Sequence, residues 1–333
     1  MKLTFVTVTA LLLLFSCSKE NTNGSSNVIT SFNSDNAIVD PGNVPIDVIG
    51  AGTFMDSVGG LYPGGLNVAT GTYADDLLST SQSIVPIDTF GVVNSTSKLS
   101  KVVFLSLGGS TGGHNMKSLK DKTTGNPLTN PKLKLLSANN GTGDASINSI
   151  MNPDDKYWNH VTQIIKGGKS SYRQVQVVYL ETEDSSRYVA FPGRPNIVKG
   201  ELEVCLRTLR VKFPNLKVVY NLARTKTFQS TALWNREPSP YYFGWATKWA
   251  IQDQINQVPG TEYKGENAVA PMLAWGFYQW ADSIPRSTDG FYWLASETAD
   301  GLHANAAGQD TLASHFQKFL LTDPYASLWY AAH

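Results

Sequence analysis

Cysteine is scarce in this sequence: Cys17 and Cys205 are the only two in 333 residues. Cys17 falls at the end of an N-terminal leader, so the remaining chain offers Cys205 no partner for an intramolecular disulfide. No His-Cys spacing of the metal-binding kind occurs, which argues against a zinc module. Cys205 sits in an apolar pattern of helical period over 196–209. That is the setting of a buried structural thiol, because a reactive one needs an accessible, electropositive pocket. An excess of charge of one sign is missing too. Lysine plus arginine number 27 and aspartate plus glutamate 27, with no basic run, so no nucleic-acid partner is expected. Internal repeats and long low-complexity tracts are absent, and with them the solenoid architectures. An apolar run at residues 3–15 is too short for a comfortable membrane span.

That run follows Met1 and Lys2 and ends in Leu14-Phe15-Ser16-Cys17. A charged head, an apolar core and a small-residue boundary make a leader peptide. The boundary resembles a bacterial lipobox, which implies cleavage before Cys17 and lipidation of its sulfur. The protein would then touch a membrane through a lipid anchor only. Ser18, in place of an aspartate, resembles lipoproteins passed on to an outer membrane. The expected organisation is a signal peptide at 1–17, a polar tether at 18–35 and a single domain at 36–333, placed in the cell envelope.

About 300 residues suffice for one large core. Residues 36–98 are rich in Gly, Pro, Asp and Thr and read as loops and short strands capping that core. The regular part starts near residue 100. Residues 101–107 form a mostly apolar run closed by Gly108 and Gly109, as expected of a buried parallel strand. Residues 132–138 are a weaker strand candidate, 174–180 a strong one and 216–222 another. Helical patterns fall at 154–166, 196–213, 241–257 and 304–321. Strands alternating with helices predict an α/β fold with a mainly parallel sheet and helices on both faces.

In such sheets ligands bind beyond the carboxyl ends of the strands. The expected strand exits are 108–114, 139–144, 181–184 and 223–225. They gather a serine, glycines, the carboxylates Glu181, Glu183 and Asp184, and Arg224. Ser110 follows a strand and a glycine pair and enters a helix, so its hydroxyl is held at the sheet edge. Its amide falls in the first helical turn, where unpaired N–H groups can donate to an oxyanion. A helix-capping serine would favour the same position. Asp300 and His303, three residues apart beside a helix start, supply the acid and base that activate a serine.

Gly108-Gly109-Ser110, the turn at Asn140-Gly141 and Asp300-Gly-Leu-His303 resemble, in order, the motif blocks of the SGNH (GDSL-like) hydrolases. The resemblance covers about residue 100 to the C-terminus. It implies a flavodoxin-like three-layer sandwich preceded by an irregular N-terminal segment. It also implies cleavage of esters, often acetyl groups on sugars, without metal or other cofactor. Carried over by position, Ser110 is the nucleophile, His303 the general base and Asp300 its orienting partner. The amides of Ser110 and Gly141, or Gly143, form the oxyanion hole. His114, Asp184, Arg224 and Trp275 are substrate-pocket candidates. Two departures stand out. The first block has Gly109 where aspartate is usual, and the third block's Gly-x-Asn-Asp is replaced by Glu183-Asp184. A carboxylate cannot donate to an oxyanion unless protonated, so Arg224 or a backbone amide would have to take over.

Other groups compete. Asp56-Ser57 looks like a Gly-Asp-Ser block, but no strand clearly precedes it. The three carboxylates of the third exit could hold a cation or be neutralised by Arg224. His160, His315 and His333 have no motif around them. Trp245 and Trp249, one helical turn apart, read as core. The aromatics of 275–280 could line a cleft. Two function classes follow: an exported serine esterase acting on acylated carbohydrate, and a non-catalytic glycan-binding lipoprotein on the same scaffold.

Overall fold

The computed structural model describes residues 43–94, 96–139, 145–184, 189–228 and 235–333. The expected leader, Cys17 and the tether lie outside the described residues, as do Asn140, Gly141, Gly143 and Trp234. The described part opens with the short helix α1 (Ile46–Ile49) and a small hairpin, β1 (Thr53–Phe54) with β2 (Ser57–Val58). Helix α2 (Gly71–Gln82) follows. Then come β3 (Val102–Gly108), α3 (Ser110–Thr123), β4 (Leu133–Ser137), α4 (Ile147–Met151) and α5 (Tyr157–Gly167). The chain continues with β5 (Val175–Glu181), α6 (Gly193–Lys212), β6 (Val218–Asn221), α7 (Ser239–Ile255) and β7 (Met272–Trp275). It closes with α8 (Ala306–Thr322) and α9 (Ser327–Tyr330).

Strands β3 to β7 form one parallel sheet in the order β4-β3-β5-β6-β7. Counted within the sheet this is 2-1-3-4-5, the flavodoxin-like order, whose direction of winding reverses beside the first strand. Every residue of β3 and β5 is buried, which is why these segments read as mostly apolar runs rather than as alternating ones. Phe104, Tyr179 and Tyr220 share one face and pack against Phe316 and Phe319 of α8 and Trp329 of α9.

Besides the short helices α1, α4 and α9, two elements depart from expectation. The fifth strand, β7, was not among the predicted strands. Helix α2 replaces loop and short strand within 36–98. It buries only Tyr73, Leu77 and Ser81, a stripe one residue wide at a spacing of four, on an otherwise polar helix. Its purpose lies at the sheet's edge. Tyr73 donates its hydroxyl to Leu273 O (2.5 Å), and Gln254 Oε1 accepts from Leu273 N (2.9 Å). Trp275 Nε1 donates to Leu61 O (2.7 Å). Tyr73 of the N-terminal segment and Gln254 of α7 thus occupy the Leu273 backbone groups on the outer edge of β7. Further along, Gln174 and Gln176 donate side-chain amides to Ile87 O, Leu99 O and Val85 O, fastening the approach to β3.

Candidate active site

The site forms where β3 turns into α3. Gly108 ends the strand at φ +127°, and a carbon added there would sit 1.8 Å from Glu181 O, so only glycine fits. Gly109 continues in ordinary extended backbone and its N–H bonds Glu181 O (3.2 Å). Ser110 is the first helical residue. Its amide has no intrahelical partner by position, so it points out of the helix end.

A second loop comes from the opposite end of the chain. Asn305 caps α8 by accepting from Gly308 N (3.1 Å), and its amide donates to Ser296 O (2.7 Å). The turn before it passes through Gly301 at φ +82°. Phe228 N donates to Gly301 O (2.8 Å), so the exit of β6 supports this loop directly. Asp300 Oδ1 accepts the amides of Leu302 (3.0 Å) and His303 (2.7 Å), and Oδ2 lies 2.7 Å from His303 Nδ1. His303 Nε2 lies 2.8 Å from Ser110 Oγ. The structure therefore joins Ser110, His303 and Asp300 in one hydrogen-bonded chain, across 193 residues of sequence between serine and histidine. Some burial raises the Asp300 carboxyl, but the bonds from the His303 ring and from the His303 and Leu302 amides outweigh it and hold it at about 2.

His114, one turn beyond Ser110, faces the same place. Its ring centroid is 5.7 Å from that of His303. Burial, the His303 ring and Lys117 lower its pKa, against the opposing charge of Asp300.

The third strand exit separates its carboxylates. Glu181 is buried beneath the first turns of α3. It accepts from Asn115 (3.0 Å), Gln279 (3.2 Å) and the Tyr179 hydroxyl, and Thr111 also bonds it. Burial raises its pKa against those bonds and the charge of Arg224. Glu183 reaches towards Gly109 and pairs with Arg224 at 2.6 Å. Asp184 is a correction: it pairs with Arg194 at 2.5 Å with both side chains fully buried, so it does not line a substrate pocket. Among the described residues no group of His, Cys, Asp or Glu is arranged to hold a metal ion.

Trp275 is also corrected. It is buried against Leu61 and lines a separate cavity of about 260 Å³ with Tyr62, Tyr278 and Arg286, to which none of Ser110, His303 and Asp300 contributes. Trp280 is buried with its N–H on Glu237 Oε1 (3.0 Å). Ser57 lies in the hairpin strand β2, not at a strand-to-helix exit. Cys205 is buried and its thiol pKa is pushed up by burial. His315 stacks on Phe277, and His333 lies 3.1 Å from Ser327 O.

Sequence reasoning missed Asn115 and Gln279, and placed Asn139 at a strand exit without giving it a role. Asn139 follows β4 and donates to Gly109 O (3.2 Å) while accepting from Ser137 (3.0 Å) and Ser106. Its place beside the glycine-rich exit was the only available signal.

No family model matches the chain, and no curated protein matches its sequence. Among solved structures it is similar to the periplasmic domain of the lipopolysaccharide acetyltransferase of Salmonella ser. Paratyphi A. Identity there is 11%, coverage 76% of this chain and 100% of that one, and the TM-score 0.36. It is also similar to a protein from Parabacteroides merdae described as a GDSL-like lipase, with 9% identity, 68% and 97% coverage and a TM-score of 0.33. A third is the salicylyl-acyltransferase of a tetracycline biosynthetic pathway, with 11% identity, 70% and 58% coverage and a TM-score of 0.35. These are likenesses to the chain; what its site can do is read from its own atoms.

Proposed function

We propose that the protein is a serine esterase of the SGNH type, exported and lipid-anchored, that removes acyl groups, foremost acetyl, from carbohydrate. The observation that carries the proposal is the hydrogen-bonded chain from Ser110 through His303 to Asp300 at the carboxyl end of a parallel sheet. Export and anchoring rest on the leader and Cys17 alone.

In this reading Ser110 Oγ bonds to the ester carbonyl carbon while its proton passes to His303 Nε2. Asp300, ionised at neutral pH, keeps the other ring nitrogen protonated and faces the imidazolium that forms. The carbonyl electron pair moves onto oxygen, which the Ser110 amide at the helix start receives. Gly141 and Gly143 remain the proposed second donors and lie outside the described residues. Collapse expels the alcohol, which takes the proton back from Nε2. Water then repeats the sequence and releases the acid; an alcohol in its place would make the same chemistry an acyl transfer.

A non-catalytic glycan-binding role is favoured by one observation: the third block offers Glu183 where an oxyanion donor is usual. Acetate release from acetylated xylan and from a chromogenic acetate ester, measured on the full chain and its Ser110→Ala variant, separates the two. Activity lost in the variant supports the esterase. Activity that survives moves the nucleophile elsewhere, and none in either form favours binding.

A further inference from the structure

The Nδ1 of His114 is buried with no hydrogen-bond partner among the described residues, while its ring stands 5.7 Å from that of His303. A buried unpaired acceptor is tolerated better than a buried unpaired N–H, so the neutral ring carries its hydrogen on Nε2, the nitrogen left to solvent. Protonating the ring would bury a second N–H without an acceptor and set a cation against the imidazolium of His303. Lys117 adds to that repulsion and Asp300 opposes it. His114 is thereby held as a hydrogen-bond donor that does not compete for the serine proton.

The place of that donor selects a substrate. The leaving oxygen must come within hydrogen-bond reach of His303 Nε2 to receive its proton, roughly 3 Å away. With its ring centred 5.7 Å from that of His303 and one turn beyond Ser110 on α3, His114 would reach the next oxygen along the alcohol rather than the leaving one. We infer that His114 is a specificity-determining residue, whose Nε2–H binds a hydroxyl vicinal to the esterified one. The substrates would then be monoacyl esters of vicinal diols, as in a partly acetylated sugar. This deepens the proposed esterase function and rests on it.

Two small esters that differ by one hydroxyl test the inference: 2-hydroxyethyl acetate and propyl acetate. The full chain is expected to prefer the hydroxyethyl ester by about three- to tenfold in kcat/KM, the worth of one neutral hydrogen bond. His114→Phe, which keeps a ring and removes the N–H, should bring that ratio towards unity. His114→Gln, which keeps a donor, should restore part of it. Because the readout is a ratio within each variant, a general loss of folded protein cancels. Hydrolysis of both esters with no preference, or a preference unchanged in His114→Phe, overturns the inference while leaving the esterase reading intact. Hydrolysis of neither ester, together with no acetate from any substrate, overturns both.

Discussion

Glu183 sits against Gly109. A carbon added at Gly109 would lie 3.8 Å from Glu183 Oε1, and the other oxygen of that carboxylate is 2.6 Å from an Arg224 nitrogen. Gly109 has φ −78° and ψ −172°, backbone that any residue adopts, so nothing conformational demands glycine there. An aspartate at position 109 would set a second carboxylate beside Glu183. Positions 109 and 183 are thus close enough for two carboxylates there to repel each other.

Gly109→Asp should accordingly lower kcat/KM by about tenfold or more, through repulsion between two half-desolvated carboxylates. Glu183→Gln should recover much of that loss when combined with it. The double-mutant cycle reads the coupling, and additive effects would show that the two positions do not sense each other.

Asp300→Asn should cut kcat by about 10³- to 10⁴-fold with little change in fold. An amide neither fixes the His303 tautomer nor balances its charge. Asp300 is half exposed, so its effect on stability should be small. What there is follows a depressed carboxyl: present above the ordinary value of 3.8 and lost as pH falls through about 2. Urea midpoints of the two forms, compared across acid pH, check the sign.

Lys248 is buried on α7, with its ammonium on the carbonyls of Val58 and Gly59 and, among the described residues, no carboxylate partner. Burial lowers its pKa from 10.5 to about 8. Between those values the unfolded chain holds a proton that the folded one has shed, so this lysine makes stability rise with pH from about 8 to 10.5. The slope should vanish in Lys248→Met, in urea midpoints taken across that range.

Tyr73→Phe removes the hydroxyl bonded to Leu273 O and Gln254 Oε1. The cost should be about 1–3 kcal/mol, the penalty of a buried carbonyl left unpaired. A loss well below that range, measured by chemical denaturation, would mean that the N-terminal segment does not seal β7.

Long buried strands were the most legible part of the sequence. β3 and β5 are buried over seven residues each and mostly apolar, so they stand out against their neighbours. β7 has four residues, Met272–Trp275, and its apolar character runs on into Phe277, Tyr278 and Trp280, which hides its ends. α2 escaped because three buried positions in twelve leave almost no hydrophobic signal. In the site, Asp300 and His303 are local and Ser110 follows a recognisable strand exit, so all three could be named. The pairing of Asp184 with Arg194 and the Glu181–Asn115–Gln279 network could not. Their partners are brought together by tertiary packing, and no spacing rule marks a buried charge as paired.

The central claim is that His303 activates the Ser110 hydroxyl. The most direct measurement is covalent labelling of the full chain by a fluorophosphonate, with the adduct located by peptide mass spectrometry. One adduct is expected, on the peptide carrying Ser110, formed about 10³-fold or more slowly in His303→Ala. An adduct on another serine, or labelling of Ser110 at an unchanged rate in that variant, would contradict it.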